Sequence, residues 1–287
     1  MAVRLTKRRF LDLLEAYRPS RFEEFGDDPR FVRRMHHARK CRERLFVALR
    51  SGLALLPEGE ATAVDFGPYP GSLLRLLRAF RGTEALHLYG AGLMVDPEFV
   101  QFMKDDCGAE IMTVNLDPAN PQFRSKGYAE KVPLPAGNAQ LVFALEIIEH
   151  LVSPFHLVEE AYRLLAPRGH LVITTPNVTR IGNLFKLLVG RTIHDRLAPP
   201  GYFNPEDEWQ PHVREYAMSE LADILRRAGF DLVERRFFLG EDTQDCARLA
   251  RQRGIDAAKW PFYLVPHLRG SLLIVGRKPG NVVRHDA

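Results

Sequence analysis

Between residues 62 and 176, five short apolar runs alternate with stretches of helical periodicity, a pattern that few folds can accommodate. TAVDFG (62–67), EALHLYGAG (84–92), EIMTVNLD (110–117), QLVFALE (140–146) and HLVITTP (170–176) read as strands. GSLLRLLRAF (71–80), DPEFVQFMKDDC (96–107) and HLVEEAYRLL (156–165) read as helices, the second started by Asp96 as N-cap with Pro97 at its first position. Strands joined by helices run parallel, with right-handed crossovers covering both faces of the sheet. The expectation is therefore an α/β, doubly wound sheet. DLVERRFFL (231–239) and GSLLIVGRKP (270–279) add a hairpin-like pair, bringing the mostly parallel sheet to seven strands. Ligands of such sheets bind beyond the carboxyl ends of the strands, where the glycines and acids of this chain fall.

Upstream, apolar residues recur at helical spacing between Phe31 and Leu56 among many arginines and lysines. This reads as an amphipathic lead-in helix before a domain beginning near residue 60. Residues 1–50 hold 14 Lys and Arg against 7 Asp and Glu, so the basic character of the chain is N-terminal. Such a run is either a solvated helix face or a contact for nucleic acid, an anionic membrane or a phosphorylated substrate. The longest apolar runs fall far short of the roughly 20 residues of a membrane-spanning helix. The N-terminus carries no apolar core of a secretory signal, and Cys41, Cys107 and Cys246 form no CxxC pair. A cytoplasmic protein with reduced thiols is expected.

After Asn177 the rhythm breaks for about forty residues before SELADILRRAGF (219–230). A structureless loop of that length is improbable in a compact domain. A helical insertion over 180–189 and an aromatic-rich flap are expected, with Phe185, Tyr202, Phe203 and Trp209 available for a substrate pocket. The organisation is then a basic helical extension (1–59), a domain (60–280) with a flap insertion (177–216), and a tail (281–287).

The chemistry lies in three segments. VDFGPYPG (64–71) is a strand, a tight turn and a helix start; Gly67 suits the turn, and Gly71 lets the backbone approach a ligand at a helix N-terminus that favours anions. The second segment runs from VPLP through EIIEHL to TTPN, and the third is HVREYAMSELADILRRAGF. In this order they resemble the motifs of class I S-adenosylmethionine-dependent methyltransferases, over roughly residues 60 to 280. The resemblance implies a Rossmann-like methyltransferase fold and S-adenosylmethionine as cofactor. It implies contacts from Asp65, Gly67, Tyr69, Gly71, Leu145 and Glu146, with Asp65 orienting the turn or reaching the cofactor's ammonium group.

Two positions depart from the family pattern. Tyr69 stands at the middle glycine of D-x-G-x-G-x-G, so its ring must lie beside the methionine end of the cofactor or fold back onto the lead-in helix. Gly92 stands where an acid usually grips the ribose. Asp117 is the remaining acid: it contacts adenine if it ends the third strand, or the ribose if 84–106 is an insertion. The GxG of LYGAG lacks the third glycine and the following acid of a dinucleotide fingerprint, which excludes a dehydrogenase.

Glu146, Glu149 and His150 form ExxEH at the mouth of the fourth strand. In relatives such residues line the cofactor or cap a helix; in small-RNA 2′-O-methyltransferases and ubiquinone-pathway O-methyltransferases they bind a divalent metal, for which His212 would be the fourth ligand. Glu149, His150 and His212 are the candidate catalytic residues. Ala217 replaces the threonine of a capping box, leaving Ser219 to cap the next helix. The expected activity is methyl transfer, chiefly O-methylation of a small molecule or glycan. The alternatives are a non-catalytic scaffold, or a metal-assisted RNA 2′-O-methyltransferase that uses the basic N-terminus.

Overall fold

The computed structural model describes residues 5–23, 36–82, 85–93, 96–124, 126–194, 212–240 and 260–280. Helices α1 (Lys7–Ala16), α2 (His37–Lys40) and α3 (Arg42–Leu55) precede β1 (Ala61–Phe66) and α4 (Ser72–Arg81). Then come β2 (Leu86–Gly92), α5 (Pro97–Cys107), β3 (Ala109–Thr113), α6 (Pro121–Arg124), β4 (Ala139–Leu145), α7 (Pro154–Leu164) and β5 (Leu165–Pro176). Helices α8 (Ile181–Leu188) and α9 (Met218–Arg227) and strands β6 (Asp231–Phe238) and β7 (Ser271–Arg277) are the remaining α-helices and strands of the described residues. The sheet order is β3-β2-β1-β4-β5-β7-β6, parallel from β3 to β5 with β7 antiparallel to both β5 and β6. The expected doubly wound, seven-stranded sheet is present.

Alternation along the strands divides the core into two layers. Ala63, Leu141, Phe143 and Val275 face α3, α4 and α5, whereas Val64, Val142, Ile173 and Ile274 face α7 and α9. Helix α3 belongs to the first layer. A Cβ on its Gly52 would lie 2.5 Å from the Phe143 ring, so glycine allows the helix to seat directly on β4. The basic residues around it brace this end of the chain: Lys7 pairs with Glu43, Arg9 lies over Phe80 and Arg50 over Phe46.

Asp96 caps α5 as expected, its carboxylate accepting the Glu98 N–H. The third strand is shorter than 110–117 because the chain leaves the sheet after Thr113: Asn115 N–H bonds the Ala129 carbonyl, and its side chain accepts the Asp117 N–H. A side chain that competes for the backbone ends the ladder there. Ser219 does not cap α9. Ala217 holds the N-cap position, and Glu220 returns to its N–H at 2.8 Å, half of a capping box. On α7, Glu160 and Arg163 pair and hold the N–H of Val132 and the carbonyls of Val132 and Leu134, fixing the VPLP loop beneath the strand ends. Among the described residues no helix is long and apolar enough to cross a membrane.

Candidate active site

The order of the strands reverses between β1 and β4, and the crevice of a doubly wound sheet opens at that point. On one side stands the turn after β1. Gly67 and Gly71 adopt φ of 76° and 96°, and the Gly71 N–H closes the turn on the Pro68 carbonyl at 2.7 Å. Gly71 is also the N-cap of α4, and a Cβ there would lie 2.5 Å from Met103 Sδ. Space and dihedral angle both demand glycine.

Tyr69 is 60% exposed, and its ring packs on Phe99 of α5 with centroids 5.2 Å apart. This contact seats the ring on the helix that follows β2. Pro68 lies over the end of β2, where a Cβ on Gly90 or Gly92 would approach its ring to 2.7 or 3.2 Å. The small residues of LYGAG thus make room for the proline of the turn.

Asp65 ends β1 on the face of the sheet that carries α3 and is buried. Burial holds its carboxyl well above the usual carboxylate range, opposed by the Arg44 guanidinium. Arg44 comes from α3, and its Nη1 lies 3.5 Å from Glu146 Oε2. Glu146 follows β4 with φ of 53°, a left-handed conformation that costs a non-glycine residue of order 1–3 kcal/mol. Its N–H is bonded to the Thr174 carbonyl at 2.9 Å. Leu145, half-buried beside it, packs on the α3 layer. Sequence reasoning missed Arg44. A usable signal was present: an arginine one turn before Ala48 on a helix whose neighbouring residues, Leu45 to Leu49, are all buried.

Beyond Glu146, a short 3-10 turn (Ile148–His150) carries the rest of ExxEH. Glu149 is fully buried. Its Oε2 accepts the Thr175 hydroxyl at 2.9 Å, while Oε1 meets no hydrogen-bond donor among the described residues. Burial, then the nearby Glu146 charge, push its pKa well up. The Glu149 carbonyl accepts the N–H groups of Val213 and Arg214. This draws the segment around His212 against the turn, where the His150 and His212 rings meet edge to face at 4.8 Å. Ligand atoms of Glu149, His150 and His212 all lie within 4.8 Å of one another. Glu146, the fourth candidate ligand, is outside this group and faces Arg44 instead. Glu215 lies 3.8 Å from His212 and accepts bonds from Arg180 and Asn183. Burial alone would raise its pKa, but hydrogen bonds from His212, Arg180 and Asn183 hold it at about 2.

Asp117 follows β3, since residues 86–107 supply β2 and α5 and are no insertion. It is buried, and its two carboxylate oxygens accept the N–H groups of Val152 and Ser153 at 2.8 and 3.0 Å. This ties the ExxEH loop to the end of β3. In the flap, Phe185 meets Phe262 edge to face; Tyr202, Phe203 and Trp209 lie outside the described residues.

Over residues 35–235 the sequence matches the family described as Methyltransferase domain. The chain belongs to that family. The match takes in α3, so the helix carrying Arg44 is part of the methyltransferase domain as the family defines it. Curated relatives include a probable S-adenosylmethionine-dependent methyltransferase of Mycolicibacterium smegmatis, 28% identical over 144 residues, which are 50% of this chain and 48% of that one. A ubiquinone biosynthesis O-methyltransferase of Marinobacter nauticus is 32% identical over 102 residues, 36% of this chain and 40% of that one. The alignments thus span about half the length of these curated relatives or less. A solved S-adenosylmethionine-dependent methyltransferase from Mesorhizobium loti superposes with a TM-score of 0.50 at 19% identity, over 81% of this chain and 97% of that one. It shares the methyltransferase-domain fold.

Proposed function

We propose that the protein transfers a methyl group from S-adenosylmethionine to a hydroxyl of a small molecule or glycan. The observation that carries this reading is the charge pattern of the crevice. Arg44 stands between Asp65 and Glu146 beside the N-terminus of α4. The methionine end of the cofactor is a zwitterion: its carboxylate suits Arg44 and the first amides of α4, and its ammonium suits Asp65 or Glu146. Gly67 and Gly71 leave room for it.

Methyl transfer is an in-line displacement. The acceptor oxygen bonds to the methyl carbon, the carbon–sulfur bond breaks, and its electron pair returns to sulfur. The protein's contribution is position, exclusion of water and a destination for the hydroxyl proton. Burial and the nearby Glu146 charge raise the Glu149 pKa, and one of its oxygens already accepts the Thr175 hydroxyl. The imidazoles of His150 and His212 are then the groups that take the proton from the acceptor. The donor set of Glu149, His150 and His212 fits a divalent cation, which would acidify a bound hydroxyl.

The curated relatives named as O-methyltransferases support oxygen as the acceptor atom. The test is calorimetric titration with S-adenosylmethionine, followed by release of S-adenosylhomocysteine in the presence of phenolic, sugar and RNA acceptors, with and without Mg²⁺. No binding at millimolar cofactor establishes the scaffold reading in place of this one, and turnover of RNA alone establishes the nucleic-acid reading.

A further inference from the structure

A buried polar chain leads from the N-terminal segment into the crevice. It begins at Glu23, in a 3-10 turn (Arg21–Glu23), whose carboxylate accepts the Tyr17 hydroxyl at 2.6 Å, the Ser20 N–H at 2.8 Å and Arg75 Nη1 at 2.6 Å. The same carboxylate takes the hydroxyl hydrogen of Ser72, the first residue of α4. Ser72 Oγ lies 2.8 Å from His37 Nδ1. With its one hydrogen committed to Glu23, this oxygen must accept there, so His37 carries its proton on Nδ1. Nε2 is then a bare acceptor, and Arg44 Nη2 lies 3.4 Å from it. The direction of every bond follows from one fact, that a carboxylate only accepts: Arg44 donates to His37, His37 to Ser72, and Ser72 to Glu23.

We infer that His37 is a positioning residue for the cofactor: with Ser72 and Glu23 behind it, it fixes the Arg44 guanidinium over the ends of β1 and β4. Among the described residues Arg44 also faces the acids Asp65 and Glu146, and without the His37 contact either could draw it out of register with the cofactor's carboxylate. The inference rests on the cofactor reading above. It adds that the segment before α3 sets cofactor affinity without touching the cofactor. Part of the chain's N-terminal basic character then serves an intramolecular purpose.

Side-chain amides distinguish positioning from mere bracing. The amide of asparagine falls near Nδ1 of histidine, and that of glutamine near Nε2. His37→Asn restores the Ser72 side of the chain, while His37→Gln restores the Arg44 side. By calorimetry with S-adenosylmethionine and S-adenosylhomocysteine, His37→Ala and His37→Asn are expected to weaken binding about tenfold and His37→Gln less than about threefold. In an Arg44→Ala background, His37→Ala should add less than about twofold, because the two act as one unit. Glutamine no better than asparagine, or additive losses in the double variant, overturns the inference while leaving the cofactor reading intact. Wild-type protein that binds neither compound overturns both. Should His37→Ala fail to fold, the comparison of asparagine with glutamine decides alone.

Discussion

The Arg44 guanidinium and the Glu146 carboxylate face each other at 3.5 Å across the mouth of the sheet, one from a helix that precedes β1 and the other from the strained end of β4. Both side chains are mostly shielded from water, with 14% and 20% of their surface exposed. Replacing Arg44 by alanine takes a cation from beside Asp65 and Glu146 and removes the partner for an incoming carboxylate. Cofactor affinity should fall about 10- to 100-fold, or roughly 1.4–2.7 kcal/mol, in calorimetric titration. An unchanged affinity would place the cofactor's carboxylate elsewhere.

At the first turn, Gly71→Ala combines a positive φ of 96° with a Cβ driven against Met103. Urea denaturation should show a loss of about 1–3 kcal/mol, together with loss of cofactor binding, because the turn and the start of α4 move together.

Tyr69→Ala is expected to be mild. The ring is mostly exposed and rests on Phe99, so removing it should cost about 0.5–1.5 kcal/mol and change cofactor affinity by less than about threefold. A tenfold loss of affinity would show that the ring also touches the cofactor.

Asp65 supplies a pH signature. Its folded pKa is raised by burial well above the ordinary 3.8, with Arg44 opposing. The folded chain therefore keeps a proton that the unfolded chain releases. The stability this confers is complete below about pH 3.8 and is lost as pH rises toward the folded value, at no more than about 1.4 kcal/mol per pH unit. Asp65→Asn cannot titrate, so in urea denaturation from pH 4.5 to 7.5 its stability relative to wild type should climb. A gap independent of pH would contradict the shift.

Much of this architecture was legible in the chain itself. Short apolar runs located all seven strands, the cap at Asp96 was read from a single dipeptide, and the rhythm broken after Asn177 correctly announced α8. These are local signals, set by neighbours in sequence. The crevice is not local. Arg44 becomes a site residue only once Gly52 lets α3 settle on β4, and Glu23 only once α4 brings Ser72 and Arg75 beneath it. Nothing near Asn115 announced that its side chain would cut β3 short. Asp117 illustrates the same limit from the other direction: its position after β3 was readable, but the amides of Val152 and Ser153 that occupy its carboxylate lie 35 and 36 residues away.

Pro68 and Gly92 impose an order on any change at this crevice. An aspartate substituted for Gly92 would bring its Cβ to 3.2 Å from the Pro68 ring, so that substitution meets resistance as long as the proline remains. Replacing Pro68 first relieves the crowding and makes the acid admissible. The two positions are sterically coupled: what stands at one decides which residues the other can accept, and a variant library that varies them singly will miss the combinations that vary them together.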